Sequence, residues 1–138
     1  MEVRDTAMSK LIKILPYILA LGFVFFGVQK FGATNPIFEI IAERSGIDLF
    51  EPLIRRLTGV AELLTAVLFV IPNHKVKALG AISAVGVLAG AIGFHLSPWL
   101  GINVPGIGHG LFITAVVMFI LSVFYAVKTV PAAIAKQP

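Results

Sequence analysis

The segment that decides the fold runs from Arg55 to Asn73 and reads RRLTGVAELLTAVLFVIPN. It is an apolar run bounded by basic residues and a proline, and it contains one carboxylate, Glu62. If this run crosses a lipid bilayer, a charged Glu62 costs about 2.5–3.5 kcal/mol on insertion scales, and such a residue is by default a candidate for function. The solvent around this segment therefore decides how Glu62 is interpreted.

The composition of the chain indicates a membrane protein. Of its 138 residues, 58% are hydrophobic and 13% are charged, and the mean hydropathy is +0.97. Soluble domains are roughly a quarter charged, and a soluble fold of this size buries only about two-thirds of its surface. Such a chain would expose a large apolar surface to water, so lipid is the better solvent. The length predicts a single domain over residues 1–138.

The composition also argues against several classes of protein. The chain has no cysteine, so it forms no disulfide, Fe–S cluster or thiolate nucleophile. It has no Lys/Arg-rich run with interleaved aromatic residues, so no nucleic-acid partner is expected. The motifs G-x-S-x-G and S-x-x-K, the P-loop and the dinucleotide fingerprint do not occur. Whether the protein is an enzyme stays open at this point.

Four apolar runs each have the roughly 20 residues that a spanning helix needs. The first is too long for a signal peptide and is followed by no convincing cleavage site, so we interpret it as an uncleaved helix. The sequence therefore predicts an all-α integral membrane bundle of four transmembrane helices. The runs are Leu11–Phe31, Leu49–Ile71, Val76–Leu96 and Ile107–Val127.

The connection between the first two runs predicts a short interfacial helix. Asn35 is suited to cap it, Pro36 to occupy its first position and Gly46 to stop it. Its apolar residues form one side and its charged residues the other, which is typical of a helix that lies in the membrane interface. Beyond it, Asp48 with Glu51 three residues later predicts a cap that begins the second transmembrane helix.

The basic residues predict that both termini are cytoplasmic, by the positive-inside rule. Seven lysines and arginines lie on the side of the termini and four on the other side, in what we expect to be the cytoplasmic membrane of a prokaryote. The seven are Arg4, Lys10, Lys13, Lys75, Lys77, Lys128 and Lys136, and the four are Lys30, Arg44, Arg55 and Arg56.

Antiparallel threading is expected to gather polar residues at one depth. With a rise of about 1.5 Å per residue, Lys30 lies about 25 Å above Lys13, and His95 about 27 Å above Lys77. Glu62 lies about 9 Å into the outer leaflet on the descending helix. The sequence therefore predicts a ligand-binding or proton-exchange site in the outer half of the bundle. Its candidates are Glu62, His95, Lys30, Gln29 and His109.

A structural polar face accompanies Glu62 on its own helix. Arg55, Thr58 and Thr65 recur around it at three- and four-residue steps, which predicts that Glu62 points inward. The third helix carries small residues and the GxxxG match GVLAG at residues 86–90, a pattern that favours close helix packing in lipid. Glu62 and His95 are therefore expected to face the interior of the bundle.

Each candidate also has a structural interpretation. Glu62 could form a salt bridge, Lys30 could extend to the membrane surface or pair with Glu62, and His95 could cap its helix. Gln29 could bond to backbone, and His109 could be solvated.

A metal or haem site has less support. Two histidines and a glutamate can bind zinc or iron, but no two of them share the i, i+3 or i, i+4 spacing of metal-binding helices. We predict no metal, and nothing else in the sequence supports a bis-histidine haem from His95 and His109.

Three stretches resemble the DoxX-like membrane proteins: GFVFFGVQKFGA at residues 22–33, LTGVAELLTAVLFVIP at 57–72 and AGAIGFHLS at 89–97. The resemblance covers most of residues 15–127. GIGHG at residues 106–110 departs from the acidic turn that the resemblance implies before the fourth helix. The most telling residues are Gly27, Lys30, Glu62 and His95.

The resemblance implies a four-helix integral membrane protein. Members of the family are associated with quinone-linked sulfur oxidation, as subunits of a thiosulfate:quinone oxidoreductase, and with membrane redox-defence complexes. A related eukaryotic branch looks like receptor-assembly chaperones. These associations suggest a lipophilic partner, or a protein partner, within the bilayer.

Two hypotheses follow. In the first, a small subunit binds a lipophilic partner such as a quinone in the outer half of the bundle and supports a membrane redox complex. Glu62 would exchange a proton, while His95 and Lys30 contact the polar head. In the second, the protein is a non-catalytic assembly factor or scaffold that docks a protein partner or a second copy through Pro36–Ser45 and its small-residue faces. A transporter is disfavoured, because the cytoplasmic halves lack comparable polar groups.

Overall fold

The computed structural model describes residues 2–135, and over this range the chain is helical apart from short connections and one isolated β-bridge between Val104 and Gly108. A 3₁₀ turn, Asp48–Phe50, follows the second helix. The five helices are α1 (Glu2–Gln29), α2 (Pro36–Ser45), α3 (Leu53–Val70), α4 (His74–Leu96) and α5 (Gly110–Ala135).

The four long helices form a bundle in the order α1, α3, α4, α5. Each packs extensively on the next, while the contact that closes the ring, between α5 and α1, is much smaller. The short helix α2 lies across the end of the bundle at which α1 and α4 finish and α3 and α5 begin. We call this end the α2 end.

Three helices are long and apolar enough to cross a membrane, namely α1 from Val3 onward, α4 and α5. The helix α3 has only 18 residues and carries three charged side chains, Arg55, Arg56 and Glu62, so its composition alone does not mark it as a span. Large apolar side chains such as Leu21 are exposed on the outside of the bundle. The all-α prediction is confirmed, together with three of the four predicted membrane helices.

The start of α3 differs from the prediction. The helix begins at Leu53 and not near Leu49, so the predicted cap at Asp48 is wrong. Pro52 explains the difference, because a proline disfavours helical backbone in the residue before it and is tolerated only at a helix start. Asp48 instead opens the separate 3₁₀ turn, and the side chain of Glu51 pairs with Arg55.

The last helix also has different bounds. It begins at Gly110, three residues after the predicted Ile107, because Gly106 and Gly108 adopt φ values of 76° and 81° that break the helical path. It continues through Pro131 to Ala135.

The first helix begins at Glu2, well before the predicted Leu11, and ends at Gln29. The helix α4 begins at His74, two residues before the predicted start, because the side chain of Asn73 caps it. Lys136, one of the seven basic residues counted above, lies outside the described residues.

The caps predicted for α2 are confirmed. Asn35 Oδ1 accepts a hydrogen bond from the Ile37 amide at 3.1 Å, and Gly46 ends the helix with a φ of 70°. The apolar side of α2 faces the protein, since Phe38 and Ile41 are buried against the bundle. The helix therefore covers the end of the bundle.

Apolar packing is divided between two cores. The packed half, remote from α2, is centred on Phe69, whose ring lies 6.3 Å from that of Phe23 and 5.9 Å from that of Tyr125. The second core, which we call the cap, joins α2, the 3₁₀ turn and the loop before α5. The packed half buries Leu15, Leu19, Ala20, Phe23, Ala66, Phe69, Ala81, Ala84, Leu88 and Tyr125, and the cap buries Ile41, Phe50, Leu100 and Val104.

Candidate functional site

A cavity of about 650 Å³ lies between the packed half and the cap. All five helices contribute to its wall, which is mostly apolar and includes Phe26, Ile37, Leu111 and Met118. Small-molecule sites typically have volumes of roughly 300–1,000 Å³ and combine apolar walls with a few polar groups. The cavity therefore has the size and surface of a site for a small lipophilic molecule.

An ion pair between α1 and α3 borders this cavity. Lys30 Nζ lies 2.7 Å from Glu62 Oε2 and donates a hydrogen bond to Oε1 at 3.0 Å. Lys30 also donates to the carbonyl of Phe26 at 3.2 Å. Glu62 is 8% exposed, and both side chains line the cavity. The carboxylate in the apolar segment thus faces the interior and has a cationic partner.

Two glycines allow α1 and α3 to approach closely enough for this pair. A Cβ on Gly59 would lie 2.9 Å from Lys30 Cβ and 3.1 Å from the carbonyl oxygen of Gly27. A Cβ on Gly27 would lie 2.9 Å from Leu63 Cδ2. Larger residues at either position would push the helices apart and separate the ammonium from the carboxylate.

Arg55 holds the end of α1 next to the pair. Its side chain is fully buried, and its Nη2 lies 2.6 Å from Glu51 Oε1. Its guanidinium also donates to the carbonyls of Lys30, Gly32 and Ala33. These carbonyls follow the last turn of α1, where backbone acceptors lack helical partners. Arg55 therefore positions the backbone that carries Lys30.

The other members of the predicted polar face bond within the bundle. Thr58 borders the cavity and donates to the carbonyl of Ile54 at 2.9 Å. Thr65 donates to the carbonyl of Ala61 at 2.8 Å and lies 2.6 Å from Ser83 Oγ. Because the Thr65 proton is already used, Ser83 is the donor in this bond, which joins α3 to α4.

His95 lines the cavity from a different helix, near the end of α4. It is 6% exposed, and its Nδ1 lies 2.9 Å from the carbonyl oxygen of Gly101. A carbonyl can only accept, so Nδ1 carries the hydrogen. The ring packs edge-on against Phe112 at 5.6 Å. No residue between 2 and 135 bonds to Nε2, and the residue lines the cavity.

Of the remaining two candidates, Gln29 borders the cavity and His109 does not. Gln29 is exposed at the edge of the cavity and donates to the carbonyl of Phe25 at 3.0 Å. His109 is exposed in the loop before α5 and does not line the cavity. The structure thus brings Lys30, Glu62 and His95 to one cavity, while His109 shares their end of the bundle but not their site.

The GVLAG segment has a different role from the one predicted. A Cβ on Gly86 or on Gly90 would meet no heavy atom within 4 Å, and both glycines line the cavity. The prediction of close helix packing at this motif is therefore wrong. The missing side chains instead create space, and a GxxxG pattern by itself does not distinguish a void from a helix contact.

The site does not have the donor set of a metal centre. Among residues 2–135, no three His, Cys, Asp or Glu side chains lie close enough together to hold a metal ion. The arrangement fits an uncharged ligand that has an apolar body and a polar end, because Lys30 and Glu62, the charged residues that residues 2–135 place on the wall, compensate each other.

Comparison with known protein families identifies the family to which the chain is similar. The sequence pattern of the DoxX-like family matches residues 14–120, which is most of the chain and includes Lys30, Glu62 and His95. Comparisons with curated proteins and with solved structures found no match. The extent of the family match is sufficient to assign membership, so this chain belongs to the DoxX-like family.

Proposed function

We propose that this protein is a small integral membrane subunit that binds a lipophilic ligand, with a quinone as the favoured class, and supports a membrane redox complex. The observation that carries the proposal is the cavity, whose apolar wall is interrupted by the Lys30–Glu62 pair and by the unbonded Nε2 of His95. A quinone has a matching construction, since its ring and alkyl chain are apolar and its oxygens are its polar atoms. Such a ligand needs a few convergent polar groups in an apolar pocket.

The position of the ion pair supports a functional role over a structural one. A buried ion pair adds little net stability, because desolvation of the charges offsets their attraction. A purely structural pair would also be expected to lie among packed side chains, whereas Lys30 and Glu62 border open space. The pair is better explained as part of a binding wall, where Glu62 is the group suited to exchange a proton with a ligand.

We further propose that α3 is a fourth membrane crossing. Its 18 residues extend about 27 Å, close to the roughly 30 Å of the hydrocarbon layer. Arg55 and Arg56 lie in its first turn, at the α2 end; Glu51 compensates the buried Arg55, Arg56 is exposed, and Lys30 compensates Glu62. With four crossings, the basic residues favour cytoplasmic termini in the membrane of a prokaryote, and α2 then lies at the outer interface.

A steric test addresses ligand binding directly. We expect wild-type protein in detergent to bind a short-chain ubiquinone saturably in equilibrium dialysis, and Gly90→Leu to weaken binding at least about tenfold, because the new side chain enters the cavity. Gly93→Leu is the matched control, since Gly93 lies on the same helix, has open space around it and does not line the cavity. Absence of binding in the wild type, or equal loss in both variants, would contradict the proposal.

A non-catalytic scaffold is the second candidate function, and it is favoured by the outer surface of α4. Ala89 and Gly93 are exposed there, and a Cβ on Gly93 would meet open space. Small residues of this kind let a partner helix or a second copy approach closely in lipid. After mild crosslinking in membranes, a scaffold predicts one stoichiometric partner that Gly93→Leu releases and Gly90→Leu retains. Migration of the protein alone would remove this candidate.

A further inference from the structure

Most of the side-chain N–H and O–H donors on the cavity wall already form hydrogen bonds within the protein. In His95 the Nδ1 hydrogen is donated to the carbonyl of Gly101 at 2.9 Å. A neutral imidazole has one donor and one acceptor, so Nε2 presents a lone pair. Since no residue between 2 and 135 donates to this atom, it is available to a ligand as an acceptor.

The ammonium of the ion pair is engaged within the protein. Lys30 donates to Glu62 Oε1 and to the carbonyl of Phe26, and it lies in ion-pair contact with Glu62 Oε2 at 2.7 Å. Among residues 2–135 no group donates a hydrogen bond to Oε2, so this oxygen keeps its capacity to accept one. An ionised Glu62 has acceptors only. Thr58 donates its hydroxyl hydrogen to the carbonyl of Ile54 and keeps only lone pairs. These wall groups therefore offer acceptors to the cavity.

Among the uncharged side chains of the wall, two amides near the cap keep N–H groups that have no partner within residues 2–135. Asn35 uses its oxygen to cap α2, so its Nδ2 hydrogens have no partner within residues 2–135. Gln29, at the edge of the cavity, has already donated one of its two hydrogens to Phe25. A ligand that contacts both His95 and Asn35 should thus donate a hydrogen bond to His95 and accept one from Asn35.

We infer that the cavity selects the reduced, hydroxyl-bearing form of its ligand, a hydroquinone, over the corresponding quinone. This inference rests on the proposed function and specifies the ligand of the same site. A quinone carbonyl facing His95 Nε2 would bring two lone pairs together, whereas a hydroquinone hydroxyl donates to Nε2. The same hydroxyl oxygen, or the one across the ring, can accept from an amide.

The test compares the two redox forms of one short-chain ubiquinone. Binding is measured anaerobically by equilibrium dialysis at pH 8. We expect the hydroquinone to bind the wild type about tenfold more tightly, the value of one good hydrogen bond. His95→Asn should bring the ratio of the two dissociation constants close to one, because the shorter amide can still bond to Gly101 but does not reach the position of Nε2. His109→Asn, the same change outside the cavity, should leave the ratio unchanged.

A second variant tests the same assignment of donors and acceptors at the Lys30–Glu62 pair. Glu62→Gln frees at least one N–H of Lys30, so the quinone should gain affinity relative to the hydroquinone. An unchanged ratio in this variant would overturn the inference even if His95→Asn did not fold. If the wild type binds the quinone as tightly as the hydroquinone, or more tightly, the inference fails and the proposed function stands. If it binds neither form, both fail.

Discussion

The two halves of the bundle use the same helices but organise them in opposite ways. Along α4, Ala81 and Ala84 are fully buried in the packed half, whereas Gly86 and Gly90, further along the same helix, border empty space. Both segments consist of small apolar residues, and hydropathy does not separate them. The comparison shows that the same helix is closely packed where its alanines are buried and borders a cavity where two glycines have no neighbouring heavy atom within 4 Å of a Cβ position.

The two halves are also stabilised differently. In the packed half, aromatic rings and small residues fill the interior around Phe69, and the bond between Thr65 and Ser83 adds one polar link. In the cavity half, packing against the interior is incomplete, and the helix ends are joined by Arg55 and covered by the cap. Stability in this half should therefore depend on a few polar contacts.

The largest expected effect comes from removing the buried guanidinium. Arg55→Met leaves Glu51 without its partner and three backbone carbonyls without a donor, so we expect the free energy of unfolding to fall by about 3–5 kcal/mol. Thermal unfolding in detergent, followed by helical circular dichroism, measures the change. Arg56→Met is the matched control, because Arg56 is adjacent and exposed, and its side chain forms no hydrogen bond with any residue between 2 and 135. Equal stability of the two variants would show that packing alone holds the α2 end.

The sequence predicts much of the fold because lipid makes its apolar runs conspicuous. The caps of α2 follow from Asn35, Pro36 and Gly46, which act locally. The late start of α3 could also have been predicted, since Pro52 excludes a helix that starts at Asp48. Capping residues and prolines near a helix end thus predict where the helix begins or ends.

The candidate site could be predicted only in part. Counting residues along antiparallel helices gives depth, and it placed Lys30, Glu62 and His95 at the same end. Depth does not tell which side chains face the interior. The prediction therefore also included His109, which lies at this end of the bundle but outside the cavity. The partners of Arg55 are backbone carbonyls, which have no signature in side-chain patterns. These features depend on tertiary packing.

A smaller effect is expected from adding bulk to α4 at two positions. Ala84→Leu places extra atoms in an interior without free space, which costs about 1–3 kcal/mol of stability. Gly90→Leu fills part of the cavity and should leave stability unchanged or slightly raised, while ligand binding is lost. Thermal unfolding of the two variants in the same detergent tests this contrast. A similar loss of stability in both would mean that the cavity is closed in solution.

The smallest and most sensitive comparison uses the same substitution in both halves of α4. In a helix interior, alanine is more stable than glycine by about 0.5–1 kcal/mol. Gly86→Ala should realise this gain, because its Cβ meets no heavy atom within 4 Å. Gly80→Ala should instead lower stability, because its Cβ would lie 3.1 Å from Leu68 Cβ and 3.4 Å from the Leu68 carbonyl carbon.

The Cβ and carbonyl carbon of Leu68 are fixed by the backbone of α3, so they can move away from the new methyl group only if the helix itself moves. The difference between the two melting temperatures therefore measures how tightly α3 and α4 pack, without altering charge or hydrogen bonding. Opposite signs would support a packed half and a hollow half within one helix pair. A gain at both positions would show that α3 and α4 can separate at Gly80, and the distinction between the halves would then rest on the polar contacts of Arg55 alone.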